Sequence, residues 1–77
     1  LRSGGSYLPV LNIANDIVVT SFLNNKINFV DIPSYIEDAM NSHPYIDHPN
    51  LDDIYNLIDW TNKYFFDINK EVFADVG

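Results

Sequence analysis

The sequence predicts an all-α fold, a small antiparallel helical bundle of three helices plus a helix stub, which is part of a four-helix arrangement in a longer parent protein. Three observations lead to this prediction. Apolar residues recur three and four positions apart over most of the chain, as on amphipathic helices. Residues that start or stop helices separate these periodic stretches. The 77 residues are 47% hydrophobic, which suits one compact domain with a core.

The whole chain, residues 1–77, is interpreted as one domain. Residues 1–6 are expected to form the end of a preceding helix and a turn, and residues 7–77 the bundle. Glycine is favoured at a helix C-terminus because it adopts positive φ angles without a steric penalty, and Gly4 and Gly5 suit that role. The chain starts at Leu1 rather than at a methionine, so most of the preceding helix is expected upstream.

The first complete helix is predicted over Leu8–Asn24. Ser6 is a candidate N-cap, and Pro9 suits the first turn, where its missing N–H would have no partner in any case. The β-branched run 17–20 has strand propensity, but the length and spacing of the apolar residues favour a helix. A helix this apolar is expected at the centre of the bundle. An extended link, Ile27–Val30, is expected to follow it.

Two further helices are predicted. Asp31 is expected to cap the second helix, Ile32–Ser42, which has inward-facing apolar residues and outward-facing acids. Asn50 is expected to cap the third helix, Leu51–Phe73, with Asp53 as the second member of a capping box. The third helix carries a heptad-like apolar seam, which consists of Ile54, Ile58, Thr61, Phe65, Ile68 and Val72.

The chain is strongly acidic, since eleven acidic residues against four basic ones give a net charge of −7. A surface without clustered lysines and arginines cannot neutralise nucleic-acid phosphates or anionic lipid headgroups, so neither partner is expected. No run of about 18 apolar residues is present, so no membrane span is expected. The lack of cysteine excludes a disulfide framework and a thiolate metal site, and it fits a cytoplasmic protein.

Two groups of polar residues offer chemistry, but a structural interpretation is favoured for both. His43, Asp47 and His48 have metal-binding atoms, yet they lie in a proline-bounded loop. His43 instead suits a helix C-terminus, and His48 suits the surface. The adjacent acidic pairs 37–38 and 52–53 do not converge on one pocket, because neighbours on a helix point about 100° apart.

Asn12, Asn15 and Asp16 are the most unusual residues, because they lie in an otherwise apolar run. They could bind a polar group of a substrate. They could also hydrogen-bond a neighbouring loop or helix end, whose buried backbone groups would each cost ~1–3 kcal/mol without a partner. The second interpretation is favoured. The sequence has no Ser/Thr–His–acid set and no glycine-rich phosphate loop, so the residues alone predict a helical domain without its own active site.

Four motifs resemble the C-terminal part of the 1-deoxy-D-xylulose 5-phosphate reductoisomerase family. Leu11–Asp16 resembles the family's LNAANE helix, and residues 21–23 resemble its A-F-L. Lys26–Pro33 resembles K-I-x-F-x-D-I-P, and Asn50–Ile54 resembles the S-L-D-D-V that opens the family's last long helix. The motifs occur in order with matching gaps, from Gly4 to about Val72.

Departures from the family pattern affect packing rather than the assignment. Ile13 replaces a small alanine, Asp16 replaces glutamate, and bulky aromatics at 64–66 replace an alanine- and charge-rich stretch. The resemblance marks six residues with structural roles, namely Asn12, Asn15, Asp16, Asp31, Asp52 and Asp53.

The resemblance implies the function of a parent enzyme rather than of this chain alone. Members of the family rearrange and reduce 1-deoxy-D-xylulose 5-phosphate in non-mevalonate isoprenoid biosynthesis, with NADPH and Mg²⁺ or Mn²⁺. Their cofactor-binding, metal-binding and phosphate-binding residues lie in two other domains, so no catalytic, cofactor or metal residue is carried over. The fragment is therefore expected to hold no cofactor and to be inactive. Its partners would be the remaining domains of a cytoplasmic, homodimeric parent.

A different class of function stays open, a free-standing acidic helical module for protein interaction. Its support is an excess of apolar residues, namely Phe65, Phe66, Phe73 and Val76. A metal site at His43 and His48 is a weaker third possibility. The absence of an upstream helix is also expected to expose an apolar stripe on the first helix, which would drive self-association.

Overall fold

The computed structural model describes residues 5–73, and within this range the chain forms helices and no strand. The elements are α1 (Tyr7–Leu23), a 3₁₀ turn (Phe29–Asp31), α2 (Ile32–Ser42), α3 (Leu51–Ile68) and α4 (Lys70–Phe73). The predicted all-α bundle is confirmed. None of the described helices is both long and apolar enough to cross a membrane.

The first three helices run up, down and up around a shared core. Near one end of the bundle, Val10 of α1, Met40 of α2 and Leu57 of α3 pack together. Further along, Val18 of α1 and Phe65 of α3 belong to the second core cluster. Consecutive helices are therefore antiparallel as predicted, while α1 and α3 run parallel. Helix α1 is central, because it packs closely against both α2 and α3.

The third helix is shorter than predicted. It ends at Ile68, and Asn69 adopts an extended conformation before the single turn of α4. The Asn69 carbonyl and side chain then accept hydrogen bonds from the backbone N–H groups of Phe73 and Val72. This break lets Phe73 fold back into the core, where its ring lies 5.0 Å from that of Phe65. Burial of a large aromatic side chain explains why the helix does not continue.

The apolar seam predicted along the third helix is confirmed only in part, since Thr61 and Phe65 are buried and Val72 packs against the core, whereas Ile68 is exposed. The buried residues of α3 are Leu57, Thr61 and Phe65, which lie four positions apart. Ile68, predicted to be on the seam, is 45% exposed. A heptad seam requires a partner along the whole helix. Here Phe73 occupies the last part of the core instead, so the contact follows a shorter, straight stripe.

A tight turn ends α1 at residues 24–26. Asn25 has a φ of 61°, and its N–H donates to the Phe22 carbonyl. The N–H of Lys26 donates to the Ser21 carbonyl. These two bonds form a Schellman motif, which satisfies the last carbonyls of a helix. The following link is not extended as predicted, because residues 29–31 form a 3₁₀ turn.

The helix stub predicted at the start of the chain lies outside the described residues, apart from Gly5. Gly5 has a φ of +60°, as expected for a glycine that ends a helix. A Cβ at this position would lie 2.5 Å from the Ile46 carbonyl oxygen. The position therefore requires glycine both for its backbone angle and for its close approach to the loop after α2.

Candidate functional site

The three polar residues singled out in the sequence lie on the outside of α1. Asn12, Asn15 and Asp16 are all exposed, although they lie in an otherwise apolar run. Helix α1 buries the opposite side, which consists of Val10, Ala14, Ile17, Val18 and Ser21. Their side chains make no hydrogen bond to any residue between 5 and 73, so the backbone segment that they were predicted to hold is not among the described residues.

These polar residues share the outside of α1 with apolar ones. Leu8 is 54% exposed and Leu23 is 70% exposed, and Val19 between them is half-buried. At about 100° per residue, these positions lie on the same side of the helix as the three polar residues. We call this surface the outer face of α1; it consists of Leu8, Asn12, Asn15, Asp16, Val19 and Leu23. Both sides of α1 thus carry large apolar side chains.

A partly buried polar cluster joins the start of α1 to the end of α2. Ser6 is fully buried, and its Oγ accepts a hydrogen bond of 2.8 Å from the Ile46 N–H. The same Oγ lies 3.1 Å from Nε2 of His43. Ser6 does hold the predicted N-cap position, but its side chain makes no cap bond to α1. Its hydroxyl instead fixes the loop after α2 against α1.

His43 is held at both ring nitrogens. Its Nδ1 lies 2.6 Å from the Met40 carbonyl oxygen, which can only accept, so Nδ1 carries a hydrogen. With that tautomer, Nε2 accepts from the Ser6 hydroxyl, and every polar atom of the cluster has a partner. The ring also packs edge-on against Trp60 of α3, at a centroid distance of 6.5 Å. Sequence reasoning placed His43 correctly at a helix C-terminus but missed Ser6, because 37 residues separate the two.

The other residues weighed as metal ligands lie apart from this cluster on the surface. Nε2 of His48 lies 3.3 Å from the carboxylate of Asp47, and both side chains are largely exposed. Among residues 5–73, no group of three or more histidine, cysteine or acidic side chains is arranged to hold a metal ion. His43 has no free ring nitrogen with which to join His48 as a ligand.

The aspartates carried by the family motifs stabilise local structure. The carboxylate of Asp53 accepts from the Asn50 N–H at 3.0 Å, and Asn50 Oδ1 accepts from the Asp53 N–H at 2.8 Å, so the predicted capping box is confirmed. Asp31 precedes α2 without capping it; its carboxylate accepts from the Asn28 N–H instead. Asp52 is exposed in the first turn of α3, where its negative charge interacts favourably with the helix dipole.

A groove of about 820 Å³ opens beside the Ser6 cluster, between the start of α1 and one side of α2. Apolar and aromatic side chains form much of its wall, and Glu37 and His43 are its titratable groups besides two tyrosines. General acid–base catalysis needs groups free to exchange a proton with a substrate. Both ring nitrogens of His43 are engaged in the cluster, so the groove presents one free carboxylate and no opposing base.

The comparison with known families decides what kind of domain this is. The family model described as the DXP reductoisomerase C-terminal domain matches residues 1–64. The chain belongs to that family. The resemblance predicted from the sequence motifs is thereby confirmed, and the exposed Asn12, Asn15 and Asp16 lie within the part of the DXP reductoisomerase domain that is matched.

Curated relatives carry the name 1-deoxy-D-xylulose 5-phosphate reductoisomerase. The protein from Acetivibrio thermocellus is 43% identical over 70 residues, which are 91% of this chain and 18% of the relative. That from Thermoanaerobacter sp. is 47% identical over 57 residues, 74% of this chain and 15% of the relative. That from Listeria innocua is 44% identical over 63 residues, 82% of this chain and 17% of the relative.

This chain therefore spans less than a fifth of the length of each of these three relatives. No solved structure matches it. The DXP reductoisomerase C-terminal domain described by residues 5–73 is thus one small part of a much longer enzyme in these relatives.

Proposed function

We propose that this chain is the C-terminal helical domain of a 1-deoxy-D-xylulose 5-phosphate reductoisomerase, an oxidoreductase of isoprenoid biosynthesis. Its role there is that of a scaffold that packs against the catalytic region. Family membership and the small share of each relative that the chain covers support this proposal. The parent enzyme is a cytoplasmic homodimer that needs NADPH and Mg²⁺ or Mn²⁺; these properties rest on the family alone.

The scaffold role is supported by the presence of apolar side chains on both sides of α1. Its inner side is fully buried by α2 and α3, while the outer face exposes Leu8 and Leu23 beside Asn12, Asn15 and Asp16. A helix that is apolar on both sides is normally buried on both sides. The outer face is then a surface that the rest of the parent enzyme covers, and the two amides and the carboxylate bind polar groups of that part.

The described side chains do not fit a metal site, since no group of three or more histidine, cysteine or acidic side chains among residues 5–73 is arranged to hold a metal ion. The carboxylates of Asp31 and Asp53 are engaged with backbone amides of their own helix starts. His43 uses both ring nitrogens within the Ser6 cluster. We therefore propose that the chain contributes no step to the hydride transfer, and that it affects catalysis only through its packing against the rest of the parent.

Three proteins assayed in parallel test this proposal: the full-length parent, a truncation without this domain, and the 77-residue chain. Each is mixed with 1-deoxy-D-xylulose 5-phosphate, NADPH and Mn²⁺, and NADPH oxidation is followed by absorbance. We expect turnover by the full-length enzyme, none by the 77-residue chain, and loss of activity or of soluble protein in the truncation.

Two results would contradict the proposal. Turnover by the 77-residue chain above the blank would show that it holds an active site. A truncated enzyme with unchanged activity and thermal stability would show that the domain is no scaffold.

The second candidate is a free-standing interaction module. Of the apolar residues that supported it in the sequence, Phe65 and Phe73 are buried in the core, Phe66 is 42% exposed and Val76 lies outside the described residues. The exposed apolar residues Phe29 and Val30 favour the module instead. The reading frame of the gene separates the two functions. A coding region of several hundred codons upstream of Leu1, with a glycine-rich strand–turn–helix motif, supports the enzyme. A start codon directly before Leu1 supports the module.

A further inference from the structure

The end of the bundle opposite the Ser6 cluster carries an apolar patch that no described residue covers. It consists of Leu23 at the end of α1 and of Phe29 and Val30 in the 3₁₀ turn, which are 70%, 71% and 78% exposed. We call it the end patch. We propose that the end patch is the docking site for the catalytic region of the parent enzyme, an inference that rests on the proposed function.

The end patch is held in one conformation before any partner arrives. The Schellman motif closes the turn after Leu23, through the bonds of Asn25 and Lys26 to α1. The ring of Phe29 packs edge-on against Phe22 at 5.8 Å, and the Asp31 carboxylate ties down the start of the 3₁₀ turn. A preorganised surface binds with a smaller loss of conformational entropy. Exposed apolar residues on such a turn are typical of an interface rather than of a loose loop.

The segment that carries Leu23, Phe29 and Val30 contains few charged residues. The stretch Ile17–Val30 contains no acidic residue and one lysine, whereas the whole chain has a net charge of −7. Depletion of charged residues marks the core of a protein–protein interface. Asp31, the last residue of the 3₁₀ turn, borders the patch, and its carboxylate is engaged with the Asn28 N–H.

The size of the enzyme in the relatives indicates which partner covers Leu23, Phe29 and Val30. The family domain is C-terminal, and this chain covers 18% of the Acetivibrio thermocellus relative, so the preceding part contains the catalytic region. The occupant of the end patch is accordingly the catalytic region of the same polypeptide.

The test uses the full-length parent enzyme with two matched pairs of substitutions. The patch pair is Leu23→Ser with Val30→Ser. The control pair is Leu51→Ser with Tyr55→Ser, at positions on α3 that are 65% and 62% exposed and lie toward the opposite end of the bundle. We expect the patch pair to lower the thermal midpoint by roughly 3 °C or more and the control pair by less than about 1 °C. Amide exchange in the catalytic region should rise only in the patch pair.

Equal shifts for the two pairs would overturn the proposal. A change of oligomeric state in the patch pair, with unchanged exchange in the catalytic region, would overturn it in favour of a second copy as occupant. If the patch pair does not fold, Val30→Lys replaces it, because a side chain that is 78% exposed does not support the bundle itself. Failure of the proposed function is distinguishable, since the unsubstituted full-length protein would then show no reductoisomerase activity.

Discussion

The Ser6 cluster and the end patch lie at opposite ends of the bundle and differ in how completely the chain covers itself. At the Ser6 end, a fully buried hydroxyl, an imidazole and backbone groups of the loop after α2 satisfy one another. At the other end, Leu23, Phe29 and Val30 expose most of their surface on a turn whose backbone is just as well hydrogen-bonded. The end patch is therefore well ordered but uncovered.

The difference indicates a division of roles between the two ends. The Ser6 cluster needs nothing beyond the chain and stabilises the domain itself. The end patch adds little to the domain's own stability, because its side chains bury little surface, but it offers apolar area to another part of the protein. Substitutions in the Ser6 cluster should change the stability of the bundle. Substitutions in the end patch should change the attachment of the bundle to the parent.

The largest effect is expected for Gly5→Ala. The new Cβ would lie 2.5 Å from the Ile46 carbonyl oxygen and 2.8 Å from that of Asp47, at a φ of +60° that L-residues avoid. We expect a loss of about 3 kcal/mol in the free energy of unfolding of the chain, measured by chemical denaturation. A D-alanine at the same position adopts a positive φ without strain. Comparison of the D- and L-alanine variants therefore separates the cost of the backbone angle from the cost of the steric contacts. An unchanged midpoint in the L-alanine variant would contradict the role of Gly5 at this end.

A smaller effect is expected for Ser6→Ala, which leaves the half-buried Ile46 N–H without its side-chain acceptor. We expect a loss of about 2 kcal/mol in the free energy of unfolding. Ser21→Ala is the matched control, because Ser21 is equally buried but its Oγ has no hydrogen-bond partner among the described residues. That variant should be neutral or more stable. Equal costs for both serines would show that the Ser6 bonds do not stabilise this end.

The smallest effect on the bundle is expected at the turn that supports the end patch. Asn25 adopts a φ of 61°, so Asn25→Ala should cost about 1 kcal/mol and Asn25→Gly should cost nothing. Denaturation of the two variants in parallel measures the difference. A glycine variant that is less stable than the alanine variant would show that the side chain of Asn25, not its backbone angle, holds the turn.

The elements that depend on local sequence were predictable. The start and end of α2 and the Asn50–Asp53 capping box follow from residues within one or two turns of each other. The break of the third helix at Asn69 was not predictable, because the spacing of apolar residues continues through that position. It depends on the packing of Phe73 against Phe65 and Tyr35, which the sequence pattern does not encode.

The candidate sites were predictable only in part, for a related reason. The motif around Asn12 identified the family, but a helix that is apolar on both sides does not indicate which side its own domain covers. The sequence therefore did not show that Asn12, Asn15 and Asp16 lie on the exposed side of α1. The Ser6–His43 contact escaped prediction because it joins residues 37 positions apart. Both features that were not predicted depend on how the helices pack against one another, and not on where each helix begins and ends.

The most direct test of this account is hydroxyl-radical footprinting of the full-length parent enzyme, read out by mass spectrometry. Phe29 of the end patch and Tyr55 of α3 are compared after correction for the intrinsic reactivity of each side chain; they are 71% and 62% exposed in the domain itself. If the catalytic region docks on the end patch, Phe29 is labelled at least about tenfold more slowly than Tyr55, because a covered side chain is removed from solvent. Equal labelling of Phe29 and Tyr55 in the intact enzyme would contradict the account.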